Sequence, residues 1–246
     1  MGRLIVIDGL DGTGKATQKE LLKNHFINSG YTDGVDFAAV DFPRYGKPSC
    51  VLVEHYLQGK FGEDPSSIDP KVASTFYTID RVESYLTEIW PRVYRTGGTV
   101  VADRYTCSNV IHQGSKFVND ETGEMDMDKF GDFINWLYHK EYYVHKLPMP
   151  DKVIYLKVSK EANEQMLKNR SETPGDIHEA NLSYLDKCRV ALEAYQKFIK
   201  ERLYKEYSFL NAILPYITHH FIEVNEKDGI DIRTREDIAA EIQNLI

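Results

Sequence analysis

Short apolar runs alternate with longer amphipathic stretches along the whole chain. Runs such as LIVI and TVVA are apolar on both faces, which is typical of strands buried inside a sheet. Segments of this kind lie at 3–9, 36–43, 97–105, 151–158 and 219–225. Helical periodicity falls between them, near 15–29, 47–58, 70–95, 128–142, 159–170, 179–211 and 234–245. Strands that alternate with helices predict a five-stranded parallel sheet with helices on both faces.

One polar stretch interrupts this alternation. SETPGDIH at 171–178 contains Pro174 and Gly175 between two predicted helices. Such a composition is typical of a loop, and we expect a short lid at about 168–179. No internal repeat or low-complexity linker divides the 246 residues. The length and this continuity predict a single domain over 1–246.

Composition and charge exclude several classes of protein. A net charge of -8 argues against binding to nucleic acid or to acidic membranes, which requires clustered Lys and Arg. No apolar run approaches membrane-spanning length, and the first strand begins too early to leave room for a signal peptide. The three cysteines are odd in number and lack metal-ligand spacing, which favours a reducing interior. We therefore expect a cytoplasmic protein.

The stretch RLIVIDGLDGTGKATQ at 3–18 joins the first predicted strand to the first predicted helix. It matches the phosphate-binding pattern G-x-x-x-x-G-K-[ST] at Gly9, Gly14 and Lys15, but Ala16 stands where a hydroxyl normally meets magnesium. The glycines let backbone N–H groups surround phosphate oxygens, and the lysine adds a positive charge. We expect a nucleotide to bind along this loop, with its metal held mainly by water and by other carboxylates. The expected contacts are Gly9, Leu10, Asp11, Gly12, Thr13, Gly14, Lys15, Ala16 and Thr17.

Further motifs follow in a fixed order. They are DFPRYGKP at 41–48, TFYTIDR at 75–81, VVADRYTCSNVIHQG at 100–114 and LPMPDKVIYLKV at 147–158. Together with GLDGTGKATQ at 9–18, they make the chain resemble the thymidylate kinases over nearly its whole length. Arg44 departs from the pattern, because it stands one place earlier than in the commonest Phe-Pro-x-Arg segment. The resemblance implies a three-layer P-loop NTPase fold, transfer of a phosphoryl group from ATP to dTMP with Mg²⁺, and a homodimer.

The separate motifs predict an acceptor site. Arg44 follows a strand and a proline, and ligands bind at the carboxyl ends of strands in such sheets. Tyr77 and Arg81 are four residues apart, so they share one helix face. The amide of Asn109 can both donate to and accept from a pyrimidine. The full expected set is Asp11, Phe42, Arg44, Tyr77, Arg81, Arg104, Ser108, Asn109, His112 and Gln113.

The resemblance also assigns catalytic roles. It places Asp103 near magnesium, through water, and Arg104 on the acceptor phosphate. Both residues end a buried strand, where a charge is costly unless it meets a ligand or metal. An arginine near the bridging oxygens lowers the barrier to phosphoryl transfer. Because some relatives carry that arginine where this chain has Gly12, the lid must supply it. The expected catalytic set is Lys15, Asp103, Arg104 and Arg170.

Two alternatives remain at the level of sequence. One is a kinase for another pyrimidine nucleotide or for a nucleoside. His112 also replaces an aromatic residue that some relatives carry beside the sugar, which leaves selectivity for deoxyribose open. The other is a non-catalytic nucleotide-binding module, which Ala16 and a lid with fewer arginines suggest.

Overall fold

The computed structural model describes residues 1–62, 64–168, 182–226 and 231–246. Within them, one parallel sheet has the strand order β2-β3-β1-β4-β5. Its strands are β1 (Arg3–Gly9), β2 (Phe37–Asp41), β3 (Thr99–Asp103), β4 (Lys152–Lys157) and β5 (Thr218–Glu223). The predicted five-stranded parallel sheet is therefore confirmed, with strand ends that differ by a few residues from those expected.

Helices cover both faces of this sheet. In chain order, the described helices are α1 (Lys15–Asn28), α2 (Val51–Leu57), α3 (Pro70–Thr87), α4 (Trp90–Arg95), α5 (Thr106–His112), α6 (Met127–Tyr138), α7 (Lys160–Lys168), α8 (Leu182–Lys200), α9 (Ser208–Ile213) and α10 (Arg235–Asn244). Across the described residues, no helix combines the length and the apolar character that crossing a bilayer requires.

Alternate residues of each strand enter two separate cores. On β1, Leu4 and Val6 pack into a large cluster with α4, α5, α6 and α8, whereas Ile5 and Ile7 pack against α1 and α10. A strand that is buried on both faces needs apolar residues at every position, which is why its sequence reads as a continuous apolar run. The two cores and the sheet between them form three layers.

Two predicted helices are wrong in their continuity. The segment expected to be one helix over 70–95 is divided, because α3 ends at Thr87 and Pro91 lies in the first turn of a separate helix, α4. Proline fits a helix start and disrupts a helix interior. The helix expected over 179–211 ends at Lys200 in the described part. Arg202 then adopts a left-handed backbone with φ 57°, and α9 begins at Ser208.

Register brings the chemically important strand ends together. Ile7 of β1 lies opposite Asp103 of β3, and Asp103 lies opposite Asp41 of β2. The carboxyl ends of these parallel strands therefore meet at one edge of the sheet. The loop after β1 leaves from the same edge, so it lies beside the residues that follow β3.

Candidate active site

The loop at residues 9–17, here called the phosphate loop, is held in shape by its own side chains and by α7. Gly14 has φ 87° and caps the N-terminus of α1, in a left-handed conformation that favours glycine. Lys15 Nζ and Thr13 Oγ1 both donate to the Leu10 carbonyl, at 2.5 and 2.9 Å. Asn163 Nδ2 of α7 donates to the Asp11 carbonyl at 2.7 Å. The loop therefore presents a preformed curve at a helix N-terminus, where anions bind well.

Lys15 lies buried within a ring of charges. Burial, together with the nearby Arg104, lowers its pKa to about 8 despite the opposing effect of the carboxylates of Asp11, Asp103 and Asp8. An anion that reached the ammonium group would stabilise its charged form. The electrostatics of the loop therefore favour a bound anion.

Asp103 ends β3 beside the phosphate loop. Its Oδ1 is buried and accepts no hydrogen bond from the described residues. Burial raises the pKa of this carboxyl, although the cations of Lys15 and Arg104 oppose the shift. A buried carboxylate oxygen without a donor is costly, and a cation or its bound water would remove that cost.

Arg104 follows in a left-handed backbone conformation with φ 64°, which residues other than glycine rarely adopt and which is common at functional sites. The guanidinium is ion-paired with Asp11. Nη1 also lies 3.2 Å from the Gly9 carbonyl and 3.1 Å from His112 Nε2. Arg104 is therefore fixed directly over the phosphate loop.

His112 is neutral in this arrangement. Arginine only donates, so His112 Nε2 accepts from Arg104, and the ring proton lies on Nδ1. Nδ1 is 3.8 Å from the Cys188 sulfur of α8. Burial lowers the pKa of His112 to about 4, with a smaller contribution from Arg104 and against the opposing charge of Asp11. The imidazole thus orients the guanidinium without adding a charge.

Most of the predicted acceptor residues surround one cavity, here called the arginine cavity. Within the described chain, its lining residues are Asp11, Phe42, Pro43, Tyr45, Leu57, Tyr77, Arg81, Arg104, Tyr105, Ser108, Asn109 and His112. Eight of the ten residues expected from the sequence are among them. The cavity combines aromatic rings with two cations and an amide, which suits a flat polar ring bearing an anionic group.

Arg81 owes its position to a carboxylate that sequence reasoning missed. Glu141 is fully buried and lies in a π-helical turn at His139–Val144, directly after α6. It accepts from Arg81 Nε at 2.9 Å, and from the hydroxyls of Thr78 and Thr106 at 2.9 and 2.5 Å. The only signal in the sequence was an acidic residue in an aromatic stretch, EYYV, which says nothing about its partner.

Two expected acceptor residues do not line the arginine cavity in the described structure. Arg44 is held instead by the carboxylates of Asp80, Glu83 and Glu88. The side chain of Arg44 therefore packs on α3, and its expected contact with the acceptor stays a prediction. Gln113 is fully buried, and its amide atoms have no hydrogen-bond partner among the described residues.

A second opening, here called the loop groove, is lined by residues 11–19, which include most of the phosphate loop. Asp103 and Arg104 also line it, as does the segment 232–236, which continues into the first turn of α10 and which sequence reasoning missed. No sequence motif indicates that this segment lines the groove, because its position in the fold depends on β5 and α10. The two openings share Asp11, Phe42, Pro43, Tyr45 and Arg104, so they adjoin.

The predicted lid lies almost entirely outside the described residues. The undescribed range 169–181 contains Arg170, the arginine expected to contact the moving phosphoryl group. The described site therefore consists of the phosphate loop, the residues at the ends of β2 and β3, helices α3, α5 and α7, and the segment 232–236 at the start of α10.

Comparisons with known proteins agree with this geometry. A family model described as thymidylate kinase matches residues 7–208. A probable thymidylate kinase from Pyrobaculum aerophilum is 30% identical over 185 residues, covering 75% of this chain and 78% of the relative. The thymidylate kinase of Mycobacterium tuberculosis is 28% identical over 170 residues, covering 69% and 72%.

Solved structures show the same fold. The thymidylate kinase structure from Candida albicans superposes with a TM-score of 0.60 at 19% identity, covering all of this chain and 91% of that one. The structure from Ehrlichia chaffeensis also has a TM-score of 0.60, at 16% identity, with 99% and 98% covered. These similarities confirm the P-loop NTPase fold expected from the sequence.

Proposed function

This chain belongs to the thymidylate kinase family, and we propose that its two adjoining openings hold the two substrates of one phosphoryl transfer, ATP in the loop groove and dTMP in the arginine cavity. The family consists of nucleoside-monophosphate kinases, which transfer the terminal phosphoryl group of ATP. The observation that carries the proposal is the shared wall of the two openings. A non-catalytic nucleotide-binding module has no need of a second, polar cavity that adjoins its phosphate loop.

The arginine cavity supports a specific pose for dTMP. Tyr77 offers a ring face for the thymine, and the amide of Asn109 can pair with its polar edge. Arg81 lies in the same wall and lends positive charge to that end. Asp11 and Arg104 lie where the cavity meets the loop groove, so the sugar hydroxyl and the 5′-phosphate of dTMP would point to them. The acceptor phosphate would then face the terminal phosphate of ATP.

The chemistry proposed for this junction is positioning and charge neutralisation. The ammonium of Lys15 and the backbone N–H groups at the start of α1 would hold the outer phosphates of ATP. Arg104, already fixed by Asp11 and His112, would hold the acceptor phosphate in line with them. Charge on the transferred group would then develop beside fixed cations. We also propose that Arg170 adds a further cation from the lid.

Magnesium is expected from the family, and the described residues fit it. The unpartnered Oδ1 of Asp103 lies beside the phosphate loop, where a hydrated cation would satisfy it. No cluster of three or more His, Cys, Asp or Glu side chains in the described chain could hold a metal, and Ala16 has no hydroxyl. We therefore propose that Asp103 holds Mg²⁺ through water, with the remaining ligands from phosphate oxygens. When bound, the ion would neutralise charge on the ATP phosphates.

We propose a homodimer that forms through α3. Val72, Ile79 and Leu86 are 49%, 43% and 76% exposed, and they recur every seven residues along this helix. Such a repeat places them in one row on the helix, as in helices that pair with each other. Leu86→Glu should convert a dimer into a monomer in light scattering, whereas Leu52→Glu, on α2, serves as the matched control. A monomeric native protein would contradict this proposal.

We propose a cytoplasmic location and a single kinase domain over 1–246 with its lid at about 168–179. All three cysteines, at positions 50, 107 and 188, are buried free thiols. Free thiols are usual in a reducing compartment, which supports the proposed location. The single sheet of the described residues supports the single domain.

The function is tested by a coupled ADP-release assay over a panel of acceptors. With MgATP, the protein should turn over dTMP in preference to other pyrimidine monophosphates and to thymidine. A preference for another monophosphate would show that the acceptor is that nucleotide and not dTMP. ATP binding without turnover of any acceptor would favour a nucleotide-binding module.

A further inference from the structure

Two neighbouring residues after β2 occupy opposite environments. Arg44 is buried, with only 7% of its surface exposed, whereas Tyr45 is 61% exposed. In the described chain, Tyr45 lines both the arginine cavity and the loop groove, and Arg44 lines neither. The cation of this segment is therefore kept away from the two openings, and the phenol faces both.

Arg44 is tied to α3 by its backbone and by its side chain. Its backbone N–H donates to Asp80 Oδ2 at 2.8 Å, and Nε donates to Oδ1 of the same carboxylate at 3.1 Å. Nη1 donates to Glu88 Oε1 at 2.9 Å, and Nη2 donates to Ser49 Oγ at 2.8 Å and is ion-paired with Glu83. These contacts use most of the N–H donors that a guanidinium has.

Moving Arg44 toward a ligand would be costly. The side chain of Asp80 is only 1% exposed, so its carboxylate would lose its cation without gaining water. Loss of one partner from a buried ion pair is strongly unfavourable. We therefore expect Arg44 to remain on α3 when the cavity is filled.

Tyr45 lies where the openings meet, together with Asp11 and Arg104. Arg104 lines both openings as well, so the phenol and the guanidinium face the same junction. A phenol hydroxyl donates one hydrogen bond, and bonds from neutral donors to anions are stronger than those between neutral groups. A phosphate monoester on Arg104 would therefore have a second donor in Tyr45.

We propose that Tyr45 donates its hydroxyl hydrogen bond to the phosphate of the acceptor, and that Arg44 is a positioning residue that fixes Tyr45 at this junction by anchoring the segment to α3. The proposal rests on the proposed function, because it takes a nucleoside monophosphate as the acceptor. It differs from the expectation from the sequence, in which Arg44 belonged to the acceptor site and Tyr45 had no role.

Calorimetric titrations with dTMP and with thymidine separate phosphate contacts from all others, since thymidine lacks only the phosphate. Tyr45→Phe removes one hydroxyl from an exposed ring and should leave the fold intact. It should weaken dTMP binding roughly ten-fold and leave thymidine binding unchanged. Arg44→Lys keeps the charge but loses the forked contacts to Asp80 and Glu88. It should lower the dTMP-to-thymidine affinity ratio by no more than Tyr45→Phe does.

The double variant Arg44→Lys with Tyr45→Phe distinguishes positioning from direct contact. If Arg44 acts through Tyr45, the double variant should have the same affinity ratio as Tyr45→Phe alone. An unchanged ratio in Tyr45→Phe would overturn the proposed contact, and a full additional loss in the double variant would make Arg44 a phosphate ligand in its own right. If the native protein binds neither dTMP nor thymidine, the proposed function fails instead.

Discussion

The loop groove and the arginine cavity adjoin, but the chain builds them in different ways. The phosphate loop is one run of nine residues, 9–17, whose backbone groups and single lysine form the binding surface. The arginine cavity takes side chains from the β1–α1 loop, the segment after β2, α3 and α5. A site formed by backbone groups depends on the local sequence. A site formed by side chains depends also on the residues that hold each side chain in position.

The supporting contacts show the same difference. Lys15 and Thr13 are held by the Leu10 carbonyl, within the phosphate loop itself. Arg81 is held by Glu141, which is 60 positions away in sequence. Substitutions in the phosphate loop should therefore lower activity alone. Substitutions of the residues that support the arginine cavity should lower both stability and activity.

Glu141→Gln should have the largest effect, and that effect should be on the stability of the fold. It leaves the Arg81 guanidinium buried without its counter-ion, which should cost about 3–5 kcal/mol in the free energy of unfolding. Urea denaturation measures this cost. Glu83→Gln is the matched control, because Glu83 pairs with Arg44 at a half-exposed position, and it should cost less than about 1 kcal/mol. Equal stability in the two variants would contradict the supporting role of Glu141.

Lys15→Ala should reduce kcat roughly 100- to 1,000-fold with little change in the urea midpoint. The shape of the loop depends on its glycines, so the substitution removes a charge and little packing. Lys23→Ala, on the same helix but outside the loop groove, is the control and should retain native turnover. Native turnover in Lys15→Ala would show that ATP does not bind at the phosphate loop.

The pH dependence of ligand binding should distinguish the two openings. Lys15 has a lowered pKa of about 8, so it loses its charge as the pH rises above that value. ATP binding requires the charged form and should weaken roughly ten-fold between pH 7 and pH 9. Binding of dTMP relies on arginines, which stay charged, and should change little over this range. A flat profile for ATP in calorimetry would remove Lys15 from the donor site.

The smallest expected effect concerns Ala16. If Asp103 holds magnesium through water, then Ala16→Ser should change the magnesium requirement only a few-fold, as a water is exchanged for a hydroxyl. Asp103→Asn should raise that requirement much more and lower turnover. Magnesium titration at saturating ATP and dTMP compares the two. A native enzyme that is inactive until Ser replaces Ala16 would refute the proposed arrangement.

The sequence predicted the sheet and the phosphate loop well for one physical reason. A buried strand is visible in the sequence as a short apolar run, and a curved phosphate-binding loop is visible as glycines beside a lysine. The divided helix at 87–90 was missed because its amphipathic pattern continues across the break, although Pro91 marked the new helix start. Arg202, whose left-handed backbone follows the end of α8 at Lys200, had no local signal.

The direction of a side chain was the hardest feature to predict. Arg44 and Tyr45 are neighbours in one motif, and only the carboxylates of α3 decide which of them reaches the openings. Glu141 gave no local hint of its bond to Arg81. The direction of a side chain depends on tertiary partners that are distant in sequence. The motifs therefore predicted which segments form the site, but not the role of each residue in it.

The central claim is that the arginine cavity binds the acceptor beside the ATP site. Calorimetric titration of Arg104→Ala with dTMP, and separately with a non-hydrolysable ATP analogue, tests this claim most directly. Arg92→Ala is the control, because the exposed side chain of Arg92 on α4 bonds only to a loop carbonyl in the described structure. The dTMP affinity should fall by about 1.5–3 kcal/mol, roughly ten- to a hundred-fold, and the analogue's affinity much less. An unchanged dTMP affinity would place the acceptor elsewhere.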